Sequence, residues 1–271
     1  MQTSFDVIVL AGYNPNKTEP LTEMTGQPHK ALIEVDGRPM VWHVVRAVHE
    51  SKRFDRVFIS GLRAEDGVHF PCEVNYLPEQ GSMVNNVLYS FQHLSTLQDN
   101  HRHAVLLSAD IPLLSGDMIN WFLDACQPND RDVYWGLVEK TVMGKTFPKS
   151  KRSYIRLVEG NFCSGDIFLG RISVAMKNQK LMQDLANSRK DIFRQIRMLG
   201  WNALIRFVFR RLRFVDLLEI TERNLGIEGV QVILPFAEMG MDVDKPHQLE
   251  QVKEYLQATP RSYPPADEID T

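Results

Sequence analysis

Short apolar runs that alternate with helix-period stretches constrain this chain more than any other feature. "FDVIVLAG" (5–12), "DRVFISG" (55–61), "EVNYLP" (73–78) and "HAVLLSAD" (103–110) read as strands. "MVWHVVRAVHES" (40–51), "SMVNNVLYSFQHL" (82–94) and "SGDMINWFLDAC" (115–126) carry apolar residues at helical spacing, with Ser82 placed to cap the second. Strands this apolar have both faces covered, which belongs to a parallel sheet between two helical layers. Right-handed crossovers put the loops after the strands on one edge, and open α/β sheets bind ligands at that edge.

The second half differs. "DVYWGLVEK" (132–140) and "SYIRLVEGNFCSGDIFLG" (153–170) read as strands, the latter as a hairpin or meander around Gly160-Asn161. Residues 173–225 are almost continuously helical in pattern. "VQVILP" (230–235) returns to strand, and "KPHQLEQVKEYLQ" (245–257) closes with a helix whose first turn holds Pro246. The expectation is an α/β fold, three-layered and Rossmann-like, with a mixed, mostly parallel sheet and a helical insertion late in the chain. Residues 1–260 form one domain with a helical subdomain at about 173–225, and the Pro-rich acidic residues 261–271 form a disordered tail. Within the subdomain, "RKDIFRQIRMLGWNALIRFVFRRLR" (189–213) sets eight cations against one acid. A solvated helical face, a cationic lid over an anionic acceptor, and an interfacial helix on anionic lipid all fit that pattern.

Composition removes several classes. A net charge of −3 over 271 residues gives no global attraction to nucleic acid, and no aromatic-basic surface is legible. Cys72, Cys126 and Cys163 are odd in number, far apart and without a CxxC pair, which excludes a disulfide framework or structural zinc and fits a reducing cytoplasm. The start lacks the basic region of a signal peptide, and no apolar run reaches membrane-span length.

Three segments could carry chemistry. The stretch from Gly12 to Lys30 is long for a strand-to-helix connection and holds Gly, Asn, Pro and two lysines, Lys17 and Lys30. It is either a phosphate-binding loop or a long surface loop. In "LLSADIPLL" (106–114), Asp110 closes an apolar strand just before Pro112. A carboxylate there can ligate a hard cation such as Mg²⁺, or form a cap or ion pair. In "MGMDVDKPHQLEQV" (239–252), Asp242 and Asp244 alternate around Val243, so an extended backbone sends both to one face. They can share a cation, and Asp244 can also cap the last helix.

In this order and spacing, "VIVLAG" (7–12), "HKALIEVDGRPMVWHVV" (29–45), "LLSADIPLL" and "MDVDKPHQLEQV" resemble nucleotidyltransferases of the molybdenum-cofactor guanylyltransferase type. The resemblance covers roughly residues 5–170 and 230–256, and extends to a sheet architecture shared with A-type glycosyltransferases. The chain departs from the pattern in the first loop, where Lys17 is the only cation near the place of the family's arginine, and in the last segment, where "DKP" replaces "DTP". Tyr13 stands where the family carries a second glycine, and a non-glycine residue there sends the loop on another path.

The resemblance implies transfer of NMP from an NTP to a phosphorylated small-molecule acceptor, with release of pyrophosphate and Mg²⁺ as cofactor. By the same resemblance, Lys30 and Asp110 are catalytic, and Asp110, Asp242 and Asp244 hold the metal. Leu10, Ala11, Gly12, Lys17, Lys30, Gly81, Ser82 and Asn85 would bind the nucleotide. In "VEGNFCSGDIFLG", Asn161, Ser164 and Asp166 are candidates to hydrogen-bond a polar acceptor, and turn chemistry alone accounts for them equally. Two rivals remain: an A-type glycosyltransferase, and a non-catalytic nucleotide or sugar-phosphate binder. Lys30 speaks against the first, since attack at an α-phosphate needs that charge. The retained acidic positions speak against the second.

Overall fold

In the computed structural model, which describes residues 4–13, 20–97, 102–177, 206, 209 and 211–259, the alternation becomes one main sheet sandwiched by helices, with a small two-stranded sheet beside it. The strands are β1 (Phe5–Leu10), β2 (Glu34–Val35), β3 (Arg38–Pro39), β4 (Phe54–Ser60), β5 (Asn75–Leu77), β6 (His103–Ser108), β7 (Val133–Glu139), β8 (Ile155–Arg156), β9 (Asn161–Arg171) and β10 (Gly229–Leu234). The helices are α1 (Pro20–Thr25), α2 (Met40–Ser51), α3 (Met83–Leu97), α4 (Gly116–Ala125), α5 (Lys140–Thr146), α6 (Ile172–Lys177), α7 (Phe214–Leu225) and α8 (Pro246–Ala258). Most of the basic stretch 189–213 and the tail 261–271 lie outside the described residues, as does Lys17.

The main sheet runs β10-β7-β9-β6-β1-β4-β5, with β8 paired to β9. β1 is parallel to β4 and β6, β4 to β5, and β7 to β10, whereas β9 is antiparallel to both β6 and β7. Alternation sorts each central strand between two cores. Val7, Val9, Val57, Ile59, Val105 and Leu107 face the large core beneath α2, α4 and α8. Ile8, Phe58 and Ala104 face the core beneath α3 and α6. Each such valine, leucine, isoleucine or phenylalanine contributes roughly 1.5–3 kcal/mol by leaving water, so three layers follow from period-two strands that are apolar on both faces. A third cluster, Leu137, Leu157, Phe162, Leu212 and Ile220, seats α7 beside the β8–β9 hairpin.

The segment "HKALIEVDGRPMVWHVV" has a structural meaning. Asp36 and Gly37 both take positive φ, 52° and 73°, the pair of angles that a two-residue hairpin turn requires between β2 and β3. The Met40 N–H returns to the Ile33 carbonyl at 3.0 Å, and His43 Nε2 meets the Val35 carbonyl at 2.7 Å. The hairpin is thus fixed to the buried helix α2, and Lys30 stands at its foot in a short 3₁₀ turn, Lys30–Leu32. No helix among the described residues is long and apolar enough to cross a membrane.

Candidate active site

The outer ends of β1, β4, β5 and β6 are tied together at one level. Ala11 N–H donates to the Ser60 carbonyl at 2.8 Å, Gly61 N–H to Leu77 at 3.0 Å, and Ala109 N–H to Leu10 at 3.0 Å. Two glycines permit this convergence. A Cβ on Gly61, whose φ is +105°, would lie 2.3 Å from Gly12 Cα, and one on Gly12 would lie 2.1 Å from Asn86 Nδ2. Gly12 is therefore demanded by close approach.

Asp110 follows β6 and is 9% exposed. Ser108 Oγ donates to its Oδ1 at 2.5 Å. Its own carbonyl accepts from Val243 N–H at 2.9 Å, which pins the Asp242–Asp244 segment alongside. Met241 and Val243 bury their side chains in the large core, so Asp242 and Asp244 emerge together on the other side. One carboxylate oxygen each from Asp110, Asp242 and Asp244 lies within 4.8 Å of the others. Like charges this close need a cation. Lys30 provides one: its ammonium bridges Asp110 and, at 2.5 Å, Asp244. Burial alone would lower the Lys30 pKa, but the two carboxylates more than reverse this, and it rises above the ordinary lysine value. The Asp244 side chain is thus turned to Lys30, and the final helix is entered through Lys245 and Pro246. Gln248 braces the segment from α8, accepting from Asp244 N–H at 3.0 Å.

A second cation completes the cluster. Arg152 pairs with Asp242 and comes within 3.8 Å of Asp166. Asp166 is the middle residue of β9, with a positive φ of 50°, and its N–H donates to Ser164 Oγ at 3.1 Å. Aspartate is among the residues that tolerate this conformation. Burial and the neighbouring Asp110 push its pKa up to about 6, against the pull of Arg152 and Ser164. Sequence reading missed Arg152, because it lies in "FPKSKRSY" among exposed lysines and reads as one more solvated charge.

These are oxygen donors from three carboxylates at the end of a parallel strand, faced by a lysine from the first loop. A model of the MobA-like NTP transferase domain matches residues 7–161, more than half of the chain. The chain belongs to this family. As a MobA-like NTP transferase it is an enzyme of the nucleotidyltransferase class. A hypothetical transferase from Thermus thermophilus is similar over 91% of this chain and all of its own, at 28% identity and a TM-score of 0.78. Two further structures share the fold. A CMP:2-keto-3-deoxy-manno-octonic acid synthetase complexed with CTP has 14% identity over 95% of this chain and 99% of its own, with a TM-score of 0.53. A 4-diphosphocytidyl-2C-methyl-D-erythritol synthase from Anaerococcus prevotii has 11% identity over 94% and 97%, also at 0.53.

On the other flank of this transferase's edge, Glu79 is a hub. It accepts from Tyr13 N–H at 3.0 Å, from Gly81 N–H at 2.8 Å, and from Asn86 Nδ2 at 3.0 Å. Gly81 takes φ +78°, and Ser82 Oγ accepts from Asn85 N–H at 3.2 Å. Asn85 is exposed, whereas its neighbour Asn86 is 2% exposed and organises the loop. Neither Asn86 nor Glu79 was singled out from the sequence, although one helical step separates Asn86 from the chosen Asn85. Leu10 carbonyl and Ala11 N–H already serve the neighbouring strands, so they shape the edge. Tyr13 answers the departure in the first loop: its ring packs on His29, centroids 4.0 Å apart, beside Lys30. Asn161 pairs with Arg156 of β8. It stands five residues, about 16 Å of strand, from Asp166.

Proposed function

We propose that this enzyme transfers NMP from an NTP to a phosphorylated small-molecule acceptor, releasing pyrophosphate, with Mg²⁺ as its cofactor. The observation that carries the reading is the meeting of Lys30 with Asp110, Asp242 and Asp244 at the carboxyl edge of the sheet. The donors fit the metal: all are hard oxygens, and Mg²⁺ takes one or two protein carboxylates while substrate phosphates and water fill the rest. When bound, the ion supplies charge that offsets attack of one anion on another.

The chain's own groups divide the remaining work. Lys30 stays protonated and supplies a point charge for the α-phosphate. Gly12, Gly81, Ser82 and Asn85 receive the nucleoside end, with Lys17 completing the set, on a frame held by Glu79 and Asn86. Ser164 and Asp166 face the acceptor, with Asn161 at the outer end of the same strand. Asp166 Oδ2 and Arg152 Nε are buried without a hydrogen-bond partner, which supports a polar acceptor on this side. Residues 1–260 act as one unit in this reading. The free thiols Cys72, Cys126 and Cys163 accord with a reducing cytoplasm. Burial pushes the Cys126 thiol up to about 12, so it is no nucleophile.

The test is pyrophosphate release with Mg²⁺, each of the four NTPs and a panel of phosphorylated acceptors. Asp110→Ala is expected to abolish it. Near-normal turnover in that variant would sink the assignment.

A further inference from the structure

Two cations stand against the same group of acids, and they are held differently. Arg152 has a side chain only 10% exposed, laid on Asp242, which is 16% exposed. Gln248 Nε2 approaches the same Asp242 oxygen at 3.4 Å. A guanidinium does not lose its proton, and a buried one has no water to replace a departing partner. Lys30 is 21% exposed on a flexible stem, and its partner Asp244 is 54% exposed. Water reaches that pair, so it can open without stranding a bare charge.

Resting on the nucleotidyltransferase reading above, we propose that the cluster contains one fixed and one exchangeable ion pair. Arg152 retains Asp242 as a positioning carboxylate, while Lys30 is a resident counter-ion that gives up Asp110 and Asp244 when a divalent cation is bound there. An ammonium and a divalent ion compete for the same oxygens, so Lys30 is released toward the phosphates in the event that loads the metal. Metal binding without nucleotide is therefore weak, and nucleotide strengthens it by giving Lys30 another anion. Asp242 keeps the segment in register and does not lose Arg152 in the exchange.

Mn²⁺ titrated into the full chain and followed by electron paramagnetic resonance tests this, first alone and then with ATP, CTP, GTP or UTP. Lys30→Met is expected to bind Mn²⁺ about tenfold or more tighter than wild type without nucleotide. With nucleotide, Asp110→Asn and Asp244→Asn lose about tenfold or more, the scale of a disturbed metal site. Asp242→Asn shifts the affinity less than about threefold, below that scale. Unchanged or weaker binding in Lys30→Met overturns the exchange. A loss in Asp242→Asn equal to that in Asp244→Asn overturns the fixed pair. Should Asp242→Asn fail to fold, the double variant Arg152→Met/Asp242→Leu, which removes both buried charges together, carries the same comparison. Absence of Mn²⁺ binding in wild type and Lys30→Met under every condition would overturn the metal-dependent reading itself, an outcome distinct from either of the others.

Discussion

The parallel half of the sheet and the half containing β9 reach the same edge by different routes. In the parallel half, β1, β4, β5 and β6 all point outward, so every strand ends at the edge and one of the next two residues stands there. Gly12, Gly61, Glu79 and Asp110 arrive in this way. β9 runs antiparallel between β6 and β7 and pairs with β6 through its second half, so it crosses that edge at its middle. Asp166 lies next to the end of β6 for this reason, 56 residues after Asp110 in the chain. Regular topology thus supplies the side proposed for the nucleotide, and a reversed strand with a loop-borne arginine supplies the side proposed for the acceptor. The first uses close packing and a satisfied hydrogen-bond hub. The second uses buried charge and a backbone at positive φ.

Substitutions can break or sharpen this contrast. After Asp110→Ala, the largest effect is expected from Lys30→Met, which removes a preorganised charge. Turnover should fall about 10²–10³-fold, with a smaller change in NTP affinity, measured by pyrophosphate release. A variant that keeps most of its turnover would deny Lys30 its role on the nucleotide side. Next comes Gly12→Ala, which drives a methyl against the Asn86 amide and Glu79. It should cost about 1–3 kcal/mol in chemical denaturation, as overpacking does. An unchanged midpoint would show that this edge is looser than its packing implies.

The proposed acceptor side has its own signature. The Asp166 pKa of about 6 lies above the ordinary value of 3.8. Between those values the folded protein holds the proton more tightly than the unfolded chain. Its contribution to stability therefore falls as pH rises through that window, and the deficit is complete above pH 6. Asp166→Asn should raise the Tm by roughly 2–4 °C at pH 7.5 for each kcal/mol recovered, with the gain vanishing toward pH 4. An equal gain at both pH values would contradict the burial argument. The smallest effect is expected from Asn161→Ala, at the far end of β9. Its stability should stay within about 0.5 kcal/mol of wild type, and any change should appear in acceptor KM alone.

The strand and helix periodicities read from the sequence return as β1, α2, β4, α3, β6 and α4, and the hairpin around Gly160-Asn161 returns as β8–β9. Such signals are local: apolar side chains at period two or 3.6 decide which face is buried, whatever the rest of the chain does. Lys30, Asp110 and Asp244 were legible because each follows or precedes a local pattern that fixes its place at the sheet edge.

By itself, then, the sequence determined a three-layer α/β sheet and the residues that its strand ends put forward. Tertiary structure alone decided which charges meet. Arg152 lies in a run of lysines that gives no local sign of burial, and Asn86 differs from Asn85 only in the helical face that turns inward. An ion pair between Arg152 and Asp242 spans 90 residues. No periodicity encodes such a distance, because the pairing is set by where β9 and the segment after β10 are packed.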